Sequence, residues 1–293
     1  MTTPRFTDRS FIGRAFIDRY LLDHGLTVPS PTESAQGLAF INPLIAHHLA
    51  HFPFCSANVL LKRDLSLDTE AVYQRLIEQR TGGYCFEHNK LFHTLLSELG
   101  FTTRPLLARV LLNGNEDNGR THRVTLLELN GAKYLIDVGF GVQTPRMAIP
   151  LETHNFEYLS QQFRLKKAQT HFRLELWQDD HWQALYRFDL SEVTEMDCDI
   201  GHFYTSQNPA SGFYRNLVIS NLSQTQRNLL KNLEWRQYDD ELGNERVVNI
   251  ESAQQLHQLL RQTFQLNFDE QQAQQLFDHQ VQFLASKESV KLD

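Results

Sequence analysis

A cysteine that follows a glycine pair and opens a helical pattern is the first candidate for chemistry in this sequence. Cys85 comes after Gly82-Gly83-Tyr84, and residues 87–99 have the apolar spacing of a helix. Glycines permit a sharp turn and close backbone approach. A thiol near the positive end of a helix dipole is favoured as thiolate, the nucleophilic form. The pattern alone supports a nucleophile and a small buried apolar side chain equally.

A predicted β-hairpin further along the chain carries a histidine and an aspartate. Asn130-Gly131 is a strong signal for a two-residue turn, and that turn would place Leu126 opposite Leu135. His122 and Asp137 then lie on one face as diagonal neighbours, roughly 7 Å apart at Cβ, which a hydrogen bond between the side chains can bridge. The acid would fix the tautomer of a histidine that accepts the thiol proton. The alternative is an ordinary His–Asp hydrogen bond with the cysteine elsewhere, since spacing cannot bring the cysteine to the sheet.

The elements that would position these residues fall into three zones. Residues 8–80 have mostly helical spacing, including an amphipathic stretch at 68–79, and Gly100 ends the next predicted helix. Short strands up to Val248 and two further helices are predicted beyond Asn208-Pro209. The predicted strands of the middle third are residues 101–112, 121–129, 133–140, 172–177 and 182–188, and the predicted C-terminal helices are residues 252–264 and 269–283.

Length and composition describe an ordinary globular protein. The chain has 293 residues, which at ~150 residues per domain predicts about two domains or three small ones. A hydrophobic content of 41% and a charged content of 22% are enough for a packed core. The formal net charge is -7, from 28 Lys+Arg and 35 Asp+Glu, so no basic face for nucleic acid dominates.

Segment and cysteine patterns limit the location and the metal chemistry that we expect. No apolar run approaches the ~20 residues of a membrane span. Charged residues interrupt the N-terminal apolar pattern, which excludes a secretory signal and predicts a cytoplasmic protein. The three cysteines are an odd number without CxxC spacing, so neither a disulfide framework nor a zinc site is expected.

Three segments give the chain a resemblance to the arylamine N-acetyltransferase family, within a similarity that runs from Phe16 to Phe268. They are residues 82–92, with Gly-Gly-Tyr-Cys-Phe-Glu-His-Asn, then residues 119–124 and residues 135–141. The resemblance implies an α+β multi-domain fold with a cysteine-protease-like Cys-His-Asp core. Its parts would be an N-terminal helical bundle bearing Cys85 (residues 1–98), a central β-barrel bearing His122 and Asp137 (99–204) and a C-terminal α/β lid (205–293).

The chemistry implied by the resemblance is ping-pong acetyl transfer. Cys85 would attack the thioester of the co-substrate acetyl-CoA, and the nitrogen of an arylamine, arylhydrazine or N-hydroxyarylamine would then take the acetyl group. His122 would act as base and proton shuttle, and Asp137 would orient it. The family's role is xenobiotic metabolism. No tightly bound cofactor and no metal are implied.

The resemblance also implies binding residues for both substrates. Val110, Phe140 and Phe213 would be apolar walls for the aromatic amine, although core packing explains each of them equally well. Asn118 and Gly119 would form a loop whose backbone approaches the pyrophosphate of CoA, with a simple loop as the alternative.

Three departures from the family pattern lie near the proposed site. Thr81 stands where the family has Arg directly before the glycine pair, and Arg80 comes one residue earlier. Cys55 stands where relatives have Glu in a Pro-Phe-Glu-Asn pattern. We interpret these two changes as compensating, because an acid and a base are lost together. Gly141-Val-Gln also lacks the family's second glycine.

Rival interpretations remain open. An amide synthase of the same superfamily would move a larger acyl chain to an amine, and a catalytically silent binding protein would keep only the fold. A cysteine peptidase is a third alternative. The histidines His47, His48 and His51 suggest a metal site, but no HExxH pattern accompanies them, and a packed or solvated helix face is the preferred interpretation. His88 is interpreted as a wall residue.

Overall fold

The first region of the structure is helical. The structure, a computed structural model, describes residues 18–21, 37–152 and 155–290, with side chains to residue 287. Its helices there are α1 (Leu38–His51), α2 (Ala57–Leu60), α3 (Thr69–Tyr73), which runs into a π-helical turn (Gln74–Glu78), and α4 (Cys85–Glu98). The helical prediction for residues 8–80 is confirmed where the chain is described, and its parts at 8–17 and 22–36 lie outside the described residues.

An eight-stranded antiparallel sheet forms the middle of the chain, in the order β5-β4-β3-β2-β9-β8-β7-β6. Its edges in the described part are β5 and β6. Strands β5, β6 and β7 were not predicted, because β5 and β6 have only two and four residues, and β7 has only two aliphatic or aromatic residues, Phe163 and Leu165, at alternating positions. The strands are β2 (Thr102–Val110), β3 (His122–Leu129), β4 (Ala132–Ile136), β5 (Ile149–Pro150), β6 (Asn155–Tyr158), β7 (Gln161–Lys167), β8 (Phe172–Gln178) and β9 (His181–Phe188).

The β3–β4 hairpin has the register that its turn residues predict. Leu129 pairs with Ala132 and Leu126 with Leu135, while Asn130 takes a left-handed φ of +52° in the turn. This register is confirmed as far as the last residue of β4, and it brings the chain that follows β4 beside the start of β3.

A five-stranded sheet joins the two ends of the chain, in the order β1-β10-β11-β12-β13. Strand β1 (Phe54–Cys55) comes from the helical first region. The other strands are β10 (Val218–Leu222), β11 (Gln226–Lys231), β12 (Glu234–Asp239) and β13 (Asn244–Asn249), and the last helices are α6 (Ala253–Gln262) and α7 (Glu270–Val290). These C-terminal strands and helices were predicted. The domain boundaries at 98 and 204 stay a prediction.

One helix was missed in the sequence. Helix α5 (Glu195–Gln207) begins with a capping box, in which Thr194 and Asp197 bond to each other's backbone N–H. The Thr-x-x-Asp spacing was the available signal. Three large apolar side chains lie on its exposed face, Met196, Ile200 and Phe203, each more than 60% exposed, so the core pattern that marks a helix is weak.

Three apolar clusters hold the fold together, one among the first helices, one on the eight-stranded sheet and one between the five-stranded sheet and helices α6 and α7. No helix in the described part of the chain combines the length and apolar character of a membrane span.

A buried ion network links the two sheets. Asp240, which follows β12, accepts from Arg146 at 2.6 Å and from Arg227 at 2.8 Å, and its side chain is 1% exposed. Arg146 precedes β5 and also donates to the carbonyl oxygens of Ser223 and Gln224. Burying these charges is costly, and the network offsets that cost only while every partner is present.

Replacing Asp240 by Ala should therefore lower the free energy of unfolding by about 3–5 kcal/mol, because it leaves two guanidinium groups without their buried counter-charge. Urea unfolding followed by circular dichroism measures this change. The control is Glu128→Ala, which removes an exposed partner of Lys133 and should cost about 1 kcal/mol or less. Similar losses in the two variants would contradict this account.

Candidate active site

Cys85 is the first residue of α4, at the end of a glycine turn. Gly82 has a left-handed φ of +66°, and a Cβ there would lie 2.5 Å from the Cβ of Cys55. Only glycine fits both constraints. The turn is tied down by the backbone N–H of Cys55, which donates to the Gly83 carbonyl oxygen at 2.6 Å. The helix therefore starts at a fixed point, with Cys85 in its first turn.

His122 and Asp137 form the hydrogen bond that the hairpin register predicts. The Nε2 of His122 lies 2.7 Å from Asp137 Oδ2, and both side chains are buried. Because Nε2 faces the carboxylate, Nδ1 is the ring nitrogen left for a second partner. The Sγ of Cys85 lies 3.7 Å from the carbonyl oxygen of Thr121, the residue before His122.

Asn89 connects the cysteine helix to the hairpin. It lies one helical turn after Cys85, and its Nδ2 donates to Asp137 Oδ1 at 2.9 Å and to the Arg123 carbonyl at 2.7 Å. Its Oδ1 accepts from the backbone N–H of Val138 at 3.1 Å. One buried amide thus fixes both strands relative to the helix that carries the thiol.

The turn after β4 packs directly on the start of α4. A Cβ at Gly139 would lie 2.8 Å from the Cα of Cys85 and 2.8 Å from Asn89 Nδ2. The backbone N–H of Gly139 also donates to Asp137 Oδ1 at 2.8 Å. No side chain fits here, so glycine sets how closely the sheet approaches the thiol.

The His122–Asp137 pair is charged in the folded protein. Burial alone would lower the pKa of His122, but the charge and hydrogen bond of Asp137, with smaller contributions from Cys85, outweigh burial and raise that pKa to about 10. Burial raises the pKa of Asp137, while the charge of His122 and hydrogen bonds from His122, Asn89 and Gly139 hold it below its usual value. His122 is therefore an imidazolium at neutral pH.

The other two cysteines lack such surroundings. Burial raises the pKa of Cys55 to about 12 and that of Cys198 to about 11. Thiols with these pKa values are almost entirely protonated at neutral pH and are poor nucleophiles.

A cavity of about 990 Å³ contains the faces of Cys85 and His122. The five binding residues named in the sequence also line it, while Asp137 lies behind His122. The Phe140 ring packs on His122 at 5.0 Å between centroids, and Phe213 contacts Tyr84 at 5.6 Å. The five lining residues are Val110, Phe140, Phe213, Asn118 and Gly119.

The loop before β3 is held by its own asparagine. Asn118 Nδ2 donates to the Val110 carbonyl oxygen and to Asn113 Oδ1, both at 2.7 Å. The Asn118 carbonyl oxygen accepts from Arg109 at 2.6 Å. These bonds occupy the Asn118 amide nitrogen and shape the loop, which leaves the backbone at Gly119 as the part that can approach a ligand.

Thr81 and Cys55, which stand where the family has Arg and Glu, pack without forming an ion pair. Thr81 is buried and donates to the Arg75 carbonyl oxygen, and Cys55 packs against Gly82. Arg80 is exposed and contacts the side chain of Gln265 at 3.5 Å. The compensation that we infer from the sequence stays a prediction.

One of the three histidines of α1, His48, belongs to a buried network. His48 contacts Tyr20 at 2.7 Å and His88 at 2.9 Å. His88 also contacts the carbonyl oxygens of Pro53 and Gly83, and burial lowers its pKa to about 4, so it stays neutral. Within the described residues there is no group of three His, Cys, Asp or Glu side chains suited to hold a metal.

Comparisons with known proteins agree with this geometry. A sequence model of the N-acetyltransferase family matches residues 37–273. The arylamine N-acetyltransferase of Escherichia coli K12 is 35% identical over 236 residues, which cover 78% of this chain and 84% of that protein. The chain belongs to the arylamine N-acetyltransferase family. The arylamine N-acetyltransferase / N-hydroxyarylamine O-acetyltransferase of Salmonella typhimurium LT2 is 33% identical over 240 residues, 80% of this chain and 85% of that one.

Solved structures of arylamine N-acetyltransferases share the fold. The Salmonella typhimurium enzyme superposes with a TM-score of 0.82 at 29% identity, covering 90% of this chain and 98% of that one. The Mycobacterium marinum enzyme in complex with CoA gives 0.81 at 26% identity, covering 89% and 98%. The α+β multi-domain fold expected of an arylamine N-acetyltransferase is therefore confirmed.

Several residues of the site were not singled out in the sequence. Asn89 was quoted only as part of a motif, although its i+4 spacing from Cys85 places it on the same helix face. Tyr204 and Thr205 reach the cavity from the missed helix α5. The wall formed by β11 and β12, including Arg227 and Lys231, has no signal in the sequence because only the fold brings it to the cavity.

Asp137→Asn should shift the pKa of His122 from about 10 to below 6.5, because the charge that raises it is lost and burial, which lowers it, remains. An NMR titration of the His122 ring protons measures the shift. In the wild type the folded pKa of His122 lies above that of the unfolded chain, so its contribution is full below about pH 6.5 and is lost as pH rises through about 10. The pKa of Asp137 is lowered in the folded protein, so its contribution is present above the usual pKa of an aspartate and is lost as pH falls below it. A pKa that stays near 10 in the variant would remove Asp137 from this role.

Proposed function

We propose that the protein transfers an acetyl group from acetyl-CoA to the nitrogen of arylamines, arylhydrazines or N-hydroxyarylamines, by a ping-pong mechanism through acetyl-Cys85. The observation that carries the proposal is the shared cavity: a thiol at a helix start and an imidazolium backed by a carboxylate face one space of about 990 Å³. These are the parts of a nucleophile, base and orienting acid.

In the first half-reaction His122, as the imidazolium, already holds the proton that Cys85 has given up, and the Cys85 thiolate attacks the thioester carbonyl carbon. The bond from Cys85 Sγ to this carbon forms, the bond from the carbon to the sulfur of CoA breaks, and the CoA thiolate takes the proton from His122. Asp137 keeps the ring oriented and stabilises its positive charge. The backbone N–H of Cys85 is among the first of its helix, which have no acceptor within the helix, and it would donate to the oxyanion.

In the second half-reaction the amine nitrogen attacks acetyl-Cys85. The nitrogen–carbon bond forms and the bond from the carbon to Sγ breaks. The neutral His122 ring removes the proton from the nitrogen, which restores the imidazolium beside the Cys85 thiolate. Because acetyl-Cys85 is itself a thioester, the acetyl group stays activated between the two half-reactions.

The cavity walls divide between the two substrates. Val110, Phe140 and Phe213 would contact the aromatic ring of the acceptor, and apolar walls of this kind are what ligand pockets generally offer. The backbone at Gly119 would approach the pyrophosphate of CoA, on the loop that Asn118 holds. The Mycobacterium marinum relative was solved in complex with CoA, which supports CoA as the donor's carrier here.

Acetyl-CoA alone should add one acetyl group to the protein. Cys85→Ala should abolish the addition, because neither Cys55 nor Cys198 shares the cavity with His122. Intact-mass spectrometry with peptide mapping measures both. The matched control is Cys198→Ala, which removes another buried thiol and should still be acetylated. Wild-type protein that stays unmodified would favour the amide-synthase or silent alternatives.

Phe213→Leu should raise KM for an aromatic amine about 3- to 10-fold, since an aromatic pair contributes ~0.5–1.5 kcal/mol beyond its buried area. Steady-state kinetics compare the aromatic amine with a small non-aromatic hydrazine, which has no ring to lose a contact. Equal increases for the two acceptors would show that Phe213 does not recognise the ring.

A further inference from the structure

Two buried charges beside Cys85 have no part in the mechanism described so far. Glu87 lies two residues after Cys85 and is fully buried, and Arg75 lies on the π-helical turn that precedes the glycine loop. Arg75 Nε donates to Glu87 Oε1 at 2.8 Å. Removing two charges from water costs several kcal/mol per ion, so we looked for a role of this pair other than stabilising the fold.

The carboxylate of Glu87 reaches from the pair to the residue before the nucleophile. Its Oε2 accepts from the backbone N–H of Tyr84 at 3.1 Å, and Tyr84 is the N-cap of α4. A glutamate at this position of a helix characteristically returns to the N-cap in this way. A Cβ at Gly83 would lie 2.9 Å from Oε2, so the loop closes tightly around the carboxylate.

Arg75 is itself held from several directions. Its guanidinium donates to the carbonyl oxygen of Ser66, and its own carbonyl oxygen accepts from the N–H and the hydroxyl of Thr81 at 2.9 and 3.3 Å. The side chain of Arg75 therefore supports Glu87, while its backbone supports the loop that leads to Gly82. The first connection ends at the N-cap of α4, and the second ends at Thr81, in the loop that leads to it.

We propose that Arg75 is a positioning residue for the Cys85 nucleophile, acting through Glu87 on the N–H of Tyr84. It fixes the first turn of α4 so that the thiol faces His122, and it neutralises a carboxylate that would otherwise oppose a thiolate two residues away. This inference rests on the proposed function of Cys85. Burial raises the pKa of Glu87 and Arg75 opposes that rise, as expected of a supporting counter-charge.

The test measures acetylation of Cys85 in a single turnover over a range of acetyl-CoA concentrations. Arg75→Met should lower the maximal rate constant about 10- to 100-fold, because small misplacements of a reacting group cost rate. The acetyl-CoA concentration for half the maximal rate should change less than about 3-fold, since Arg75 does not line the cavity. The double variant Arg75→Met/Glu87→Gln should regain most of the loss, because a neutral amide oxygen still accepts from Tyr84 and needs no counter-charge.

Two further variants keep the test decisive. Arg75→Lys keeps the positive charge but cannot donate to Glu87 and to the Ser66 carbonyl oxygen in the same fixed geometry. Its maximal acetylation rate constant should fall about 3- to 10-fold, and this variant replaces Arg75→Met if that protein does not fold. Arg164→Met breaks another Arg–Glu pair, with a nearly buried Glu175, away from α4. It should lower the melting temperature without changing the acetylation rate of folded protein.

Amide hydrogen exchange at Tyr84 gives a readout that does not depend on acetyl-CoA. Exchange should accelerate in Arg75→Met and slow again in the double variant. The proposal would be overturned if folded Arg75→Met were acetylated as fast as the wild type, or if the acetylation rate did not recover in the double variant. If wild-type Cys85 is not acetylated at all, the proposed function fails, while unchanged exchange at Tyr84 in Arg75→Met would refute the positioning role separately.

Discussion

The close approach of the turn after β4 to the first residue of α4 is the constraint on which the site depends. The thiol and the imidazole belong to different elements, and neither element alone places them together. Gly139 leaves no room for a side chain against the Cα of Cys85, and Asn89 bonds the helix to both strands of the hairpin. The geometry of the site is thus set by the packing at Gly139 and by the buried amide of Asn89.

Buried ion pairs mark the places where this fold must be specific. His122–Asp137 lies at the site, Arg75–Glu87 supports the start of α4 and Arg146–Asp240 joins the two sheets. Each is costly to bury, and in each the carboxylate or the guanidinium also bonds to backbone groups. An apolar replacement could stabilise as much without orienting a ring, a helix start or a sheet.

Local rules were enough for part of this arrangement. The Asn130-Gly131 turn fixed the hairpin register, and the register predicted the hydrogen bond between His122 and Asp137 before any tertiary information. The position of Cys85 beside them depends on packing between a helix and a sheet, which spacing does not encode, and the family resemblance supplied it. Helix α5 was missed because large apolar side chains also lie on its exposed face, so hydrophobic periodicity could not separate a buried side from an exposed one.

The five-stranded sheet is bonded to the glycine turn before Cys85, and this bond constrains one wall of the cavity. Strand β1 supplies both connections: it pairs with β10 at Cys55 and Ile219, and the backbone N–H of Cys55 donates to the Gly83 carbonyl oxygen. A movement that separated this sheet from the first region would break that ladder and disturb the turn that sets Cys85. The wall formed by β11 and β12 is therefore a fixed part of the cavity, and its shape limits which acceptors can reach the thiol.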